Sequence, residues 1–165
     1  MSAVSWLIEN NHPLREFETP AFKAMIEFAN PEAAKALWAS HNSVSRFVMK
    51  IYSFMQPQVA KALSEAVSKI HISFDGWTAK GGQRGFLGVV AHFADASGTV
   101  QDLQIALPQL AGSHSGEAMG DVVAKVLQKF GVRGHQLGAF VLDNAHSNNT
   151  AVARLAEIYE IRRNL

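Results

Sequence analysis

The chain has 165 residues, a formal net charge of +1 and no cysteine, with 48% hydrophobic and 18% charged residues. This composition is typical of one compact domain or two small ones, and it excludes a disordered tail, a disulfide-stapled module and a thiolate zinc finger. No apolar run approaches the ~20 residues that span a bilayer, and the first residues lack both a basic head and a long apolar stretch. We therefore expect an intracellular protein with no membrane contact. The near-zero charge also argues against strong autonomous binding to nucleic acid, which depends on several Lys and Arg side chains.

The first part of the chain has the pattern of a helical region, which we place at residues 1–68. Thr19 and Pro20 form a typical helix start, with a capping hydroxyl before a proline at the first helical position. The longest apolar stripe lies in Val44–Met55, where i, i+3, i+4 spacing predicts an amphipathic helix. Pro57 should kink or interrupt this helix, because proline lacks an N–H group and clashes with the preceding turn.

The second part, residues 69–165, is predicted to form four strands and two helices in the order β-β-β-α-β-α. Apolar and polar residues alternate along the first strand, and a short polar turn between the next two β-rich runs predicts an antiparallel hairpin. The predicted strands cover residues 69–75, 86–93, 100–107 and 137–142. One helix is predicted to begin near residue 113, and the last helix is predicted at residues 152–159. The fold class is therefore α/β, with a mixed sheet preceded by a helical region.

Two aspartates end strands that this order brings together. Asp75 ends the first strand, and Asp143 follows the fourth. A right-handed crossover that returns beside the first strand makes the fourth strand parallel to it, so both carboxylates project near the same end of strands ~4.8 Å apart. Carboxylates placed in this way can share Mg²⁺ or Mn²⁺, which suits phosphodiester chemistry. The geometry is that of a ribonuclease-H-like nuclease core.

Four sequence blocks, in this order and spacing, resemble the catalytic-domain motifs of the hAT superfamily of DNA transposases. The resemblance covers roughly residues 40 to 160. The blocks are Ile72–Thr78 (ISFDGWT), Phe86–Phe93 (FLGVVAHF), Gly112–Glu117 (GSHSGE) and Val141–Asn149 (VLDNAHSNN). Each block alone is weak evidence, whereas four in register are strong.

The resemblance implies a ribonuclease-H-like fold, Mg²⁺ or Mn²⁺ as cofactor, DNA as partner and a nuclear location. It implies descent from enzymes that excise transposon ends through DNA hairpins and then transfer the strands. The first catalytic and metal-binding Asp of that family falls on Asp75, and the second falls on Asp143.

The chain also departs from that family. The family's third carboxylate, a Glu, lies on a helix beyond a long helical insertion, and this sequence stops at Leu165 before any such segment. No Cys and His set for a zinc-binding DNA-recognition finger is present. We therefore expect a truncated or domesticated transposase fragment, with an incomplete core, weak or absent metal binding and no catalysis on its own.

Two alternatives to this interpretation stay open. One is a non-catalytic interaction or regulatory module, in which uncovered apolar surface mediates self-association or binding to a larger transposase. The other is a minimal metal-dependent nuclease in which Glu117 or Asp121, at the start of the crossover helix, completes the site.

Four further residues are candidates for substrate contact or for a structural role. Trp77 can stack on a base or sugar, or it can cover the open end of the sheet. His114 can contact DNA or cap a helix locally. Asn144 and Asn148 can steer phosphate or a ligand water near Asp143, or they can start a helix.

Overall fold

The computed structural model describes residues 2–37, 40–79, 84–110, 115–143 and 146–160. The chain divides into two compact units, residues 1–56 and residues 57–165, each with its own hydrophobic core. The domain boundary predicted from the sequence, between residues 68 and 69, lies where the helical pattern changes to a strand pattern. The two units of the structure instead divide between residues 56 and 57, inside a helix. In the part of the chain that is described, no helix is long and apolar enough to cross a membrane.

The first unit is helical, as predicted. Its elements are α1 (Ser2–Glu9), α2 (Pro20–Ala29), α3 (Pro31–Ala36) and the first part of α4 (His41–Ser64). The predicted start at Thr19 is confirmed, because its hydroxyl accepts a hydrogen bond from the N–H of Phe22 at 3.3 Å. Asn30 caps α3 in the same way. The core of this unit is formed by Val4, Leu7, Phe17 and Val44.

Of the two effects predicted for Pro57, an interruption is wrong, because α4 continues through this residue to Ser64, and a kink stays a prediction. An interior proline removes one hydrogen bond and costs ~3 kcal/mol. The residues that follow Pro57 offset this cost by packing, since Leu63 is fully buried in the core of the second unit and Val59 packs against that core.

The second unit has the predicted element order with one short addition. It contains β1 (Ile70–Thr78), β2 (Gly85–Ala94), β3 (Val100–Ala106), β4 (Gln109–Leu110), α5 (Gly116–Lys129), β5 (Leu137–Val141) and α6 (His146–Ile158). The strand order is β3-β2-β1-β5, and β4 pairs with β2. β1 is antiparallel to β2 and parallel to β5, so the predicted mixed sheet is confirmed. Strand β4 has only two residues, which is too short for a periodicity signal.

One face of the sheet forms the core of the second unit. Ile70, Ile72 and Phe74 on β1 are buried, as the alternating pattern predicts. The helices that pack against the same core contribute Met119, Val123 and Leu127 from α5, and Ala151 and Leu155 from α6. The intervening β1 residues, which include Ser73, Asp75 and Trp77, are partly or fully exposed on the other face.

Candidate functional site

Asp75 and Asp143 line the same groove on the open face of the sheet. In the parallel pairing of β1 with β5, Ser73 lies opposite Val141. Each aspartate follows its paired residue by two positions, so the two reach the same end of neighbouring strands. The groove has a volume of about 480 Å³ and is lined by Ser73, Phe74, Asp75, Trp77, Gly88, Val90, Gln104, Val141, Leu142 and Asp143.

An irregularity in β5 decides which residue shares this row with Asp75. Ile70 pairs with Leu137, but Ile72 pairs with Phe140, so β5 carries one residue more than β1 between these two pairs. Without that extra residue, the register would place Leu142 rather than Asp143 in the row of Asp75. The bulge therefore places a second carboxylate, Asp143, in the row of Asp75, while Leu142 also lines the groove.

The carboxylates of Asp75 and Asp143 suit a hard, hydrated cation. Both residues are exposed at the groove, and the described lining contains no Lys or Arg that would compete with a cation. Mg²⁺ is commonly held by one or two carboxylates with several waters completing its octahedral shell. In phosphoryl chemistry such an ion would act as a Lewis acid that polarises a phosphoryl oxygen. Within the described residues, no group of three or more His, Cys, Asp or Glu side chains is arranged to hold a metal.

Glu117 and Asp121 do not complete this site. Both line a separate groove between α5 and α6, together with Thr150, Ala153, Arg154 and Glu157. Asp121 accepts a hydrogen bond from Arg154 Nε at 2.8 Å, and this bond raises the pKa of the Arg154 guanidinium above its usual value. The interpretation that one of these acids joins Asp75 and Asp143 therefore has no support in the geometry.

Trp77 forms part of the groove wall. Its indole lies over Gly88, where an added Cβ would stand 3.2 Å from the ring, and its ring centroid is 6.2 Å from that of Phe86. The side chain remains 45% exposed. Trp77 thus packs across the sheet and still offers an aromatic surface to the groove, so both predicted roles stay compatible with its position.

The other predicted site residues are only partly covered by the structure. His114 and Asn144 lie outside the described residues. Asn148 is in the first turn of α6, but its side chain is outside the described part. Their proposed contacts to substrate stay predictions.

The structure also shows a side-chain network that the sequence did not indicate. Ser73 Oγ lies 2.8 Å from His92 Nε2, and His92 Nδ1 lies 2.6 Å from Asp102 Oδ1. The three residues come from β1, β2 and β3 and occupy the open face. Ser73 and His92 occupy the partly exposed positions of alternating strands, but the proximity of the three side chains depends on strand register, which the sequence pattern does not determine.

Comparison with known proteins agrees with this fold. Residues 73–165, more than half of the chain, match the family model described as the ZBED1 RNase-like domain. The "Putative transcriptional regulator tpeD" of Talaromyces stipitatus is 26% identical over 158 residues, which cover 93% of this chain and 18% of that protein. The chain thus spans about a fifth of the length of this relative. The family match and the mixed sheet show that the chain belongs to the ZBED1 RNase-like domain family.

Proposed function

We propose that this chain is an RNase-like domain related to hAT transposases, and that it acts in DNA-associated regulation without cleaving DNA by itself. It retains two positions for a divalent cation, Asp75 and Asp143. The observation that carries this proposal is the groove on the open face, where these two are the acids among the described lining residues.

Two carboxylates are sufficient for weak cation binding, but a cation held by them alone stabilises little of the charge that develops in phosphodiester cleavage. Metal-dependent nucleases position ions so that both the attacking and the leaving oxygen are stabilised. The two acids at the start of the crossover helix, Glu117 and Asp121, line another groove, and Asp121 is engaged by Arg154. The chain's own residues therefore favour binding over catalysis.

A regulatory role is consistent with the likeness to the tpeD protein, whose name describes a transcriptional regulator. We extend this role, and with it a nuclear location, to this chain as part of the proposal. Because the net charge is +1 and the described groove lining holds no Lys or Arg, we expect weak binding of DNA by this chain alone.

A DNA cleavage assay tests the non-catalytic part of the proposal. The purified chain is incubated with labelled hairpin and linear DNA in Mg²⁺ or Mn²⁺, beside Asp75→Asn and the matched control Asp121→Asn, whose carboxylate lies in the other groove. We expect no cleavage by any of the three. Cleavage that Asp75→Asn abolishes and Asp121→Asn preserves would show instead that the chain is a nuclease.

Self-association, or binding to a larger transposase, stays a prediction of the alternative interaction module. The helical unit exposes large apolar side chains, among them Phe28 at 93% and Phe54 at 73%. Apolar surface of this kind favours association. Light scattering coupled to size exclusion measures it directly: a monomer at all concentrations, without binding of an apolar dye, would contradict this alternative.

A further inference from the structure

We propose that Ser73, His92 and Asp102 form a nucleophilic relay in which Ser73 Oγ accepts acyl groups from esters bound in the open-face groove. This activity shares the groove of the proposed cation site, but it uses other side chains and requires no metal. It rests on the two short contacts that join the three side chains.

The contacts have the order that activates a serine. When His92 Nδ1 carries the hydrogen that Asp102 accepts, His92 Nε2 presents its lone pair to the Ser73 hydroxyl. The base is then within reach of the nucleophile, and a third group orients the base, which is the arrangement of Ser-His-Asp sites on unrelated folds. Asp102 acts as a positioning residue because it contacts the imidazole and not the serine.

All three side chains of this relay lie on strands, and the register between the strands brings them together. His92 lies directly opposite Asp102 in the pairing of β2 with β3. Ser73 lies opposite Val90, two residues from His92 on the same face of β2. Directly opposite and diagonal neighbours on one face are within reach of these side chains. The backbone of the sheet therefore holds all three groups.

The groove gives a substrate access to the serine. Ser73 is one of its lining residues, and the side chains of Val90, Val141 and Trp77 supply an apolar wall for an acyl substituent. Gln104 lines the same groove and, like Ser73, pairs with Val90, so its amide lies in the same row across the sheet. A side-chain amide is one of the donors that stabilise a developing oxyanion. The structure thus favours small esters with an apolar or aromatic acyl group.

The reaction balances with the ester as the only co-reactant. Ser73 Oγ forms a bond to the carbonyl carbon, and its proton moves to His92 Nε2. The bond from the carbonyl carbon to the leaving oxygen then breaks, and that oxygen takes the proton from His92. The products are acyl-Ser73 and the free alcohol.

A fluorophosphonate probe tests the nucleophile directly. Attack by Ser73 Oγ breaks the P–F bond and releases fluoride, and peptide mass mapping locates the adduct. The reaction is run on the full chain in excess EDTA. We expect labelling at Ser73, no Ser73 adduct in Ser73→Ala, and a rate reduced by about 100-fold or more in His92→Gln.

Two further comparisons separate activation from accessibility and from folding. Ser97 is the matched serine, because its hydroxyl bonds Asp95 and Thr99 instead of a histidine, and it should label far more slowly than Ser73. Asp102→Asn should slow labelling, and Asp102→Glu should restore part of the rate. Circular dichroism checks that each variant is folded. Folded protein that labels Ser73 no faster than Ser97, or equally fast with and without His92, would overturn the proposal.

Discussion

The imidazole of His71 fills the space that a side chain at position 138 would occupy. A Cβ added to Gly138 would lie 2.7 Å from His71 Cε1 and 2.9 Å from His71 Nδ1. His71 Nδ1 accepts a hydrogen bond from the N–H of Ala139 at 3.0 Å. This contact lies within the stretch of β5 that carries the extra residue, and the extra residue is what puts Asp143 in the row of Asp75. His71 and Gly138 therefore help to set the geometry of the candidate site.

We predict that Gly138→Ala lowers the free energy of unfolding by about 1 kcal/mol. The imidazole is exposed and can swing away from the new methyl group, but it then loses the hydrogen bond from Ala139. Chemical denaturation measures the effect. In a His71→Ala background the same Gly138→Ala change should cost almost nothing further, because the clash is gone. An equal loss of unfolding free energy in both backgrounds would mean that Gly138→Ala acts through backbone strain and not through the contact with His71.

A second prediction concerns the packing of α5 against α6. A Cβ at Gly120 would lie 2.8 Å from the backbone oxygen of Ala151 and 3.0 Å from Arg154 Cβ. To relieve this contact the backbone of α6 would have to shift, which costs more free energy than turning a flexible side chain. Gly120→Ala should therefore destabilise the chain by about 1–3 kcal/mol. Thermal and urea denaturation test this prediction.

The matched control for that variant is Gly76→Ala. Its Cβ would meet Met119 Sδ at 3.5 Å, an ordinary van der Waals contact. Stability should stay the same or rise by up to about 1 kcal/mol, since alanine restricts the unfolded chain more than glycine does. Equal losses from Gly76→Ala and Gly120→Ala would contradict the close approach of α5 and α6.

A third prediction concerns the β2–β3 turn and pH. Hydrogen bonds from Ser97, then from Gln101 and the backbone N–H groups of the turn, lower the pKa of Asp95 from 3.8 to about 2. The lowered pKa means that the ionised form is favoured by folding. Its stabilisation is present above pH 3.8 and is lost as pH falls through about 2.

Asp95→Asn should therefore be less stable than the wild type near neutral pH, and the difference should shrink below pH 3.8. Melting temperatures measured at pH 6, 4, 3 and about 2 for both proteins give this difference. A difference that is constant across the series would mean that the Asp95 charge does not support the turn.

Much of the fold could be predicted from short-range patterns. The alternation of Ile70, Ile72 and Phe74 identified the buried face of β1, and the cap at Thr19 identified a helix start. The continuation of α4 through Pro57 could not be predicted, because the compensation comes from tertiary packing of Leu63. Local sequence rules give the free-energy cost of a residue such as an interior proline, but they do not show which tertiary contacts offset that cost.

The candidate site could be predicted only as far as strand ends. Asp75 and Asp143 were placed from topology, and the structure brings both to one groove, while their metal-ligand role stays a prediction. The contact of Ser73 with His92 depends on register between strands, and the pairing of Asp121 with Arg154 depends on how α5 lies against α6. Neither relationship is encoded in the spacing of one segment.

Calorimetric titration with Mn²⁺ tests the shared cation site most directly. The wild type is compared with Asp75→Asn and Asp143→Asn, and Asp121→Asn is the control because its carboxylate is paired with Arg154 in the other groove. We predict one weak site per chain that either Asp75→Asn or Asp143→Asn removes and that Asp121→Asn leaves intact. No Mn²⁺ binding by the folded wild type, or binding that survives both groove substitutions, would contradict the account.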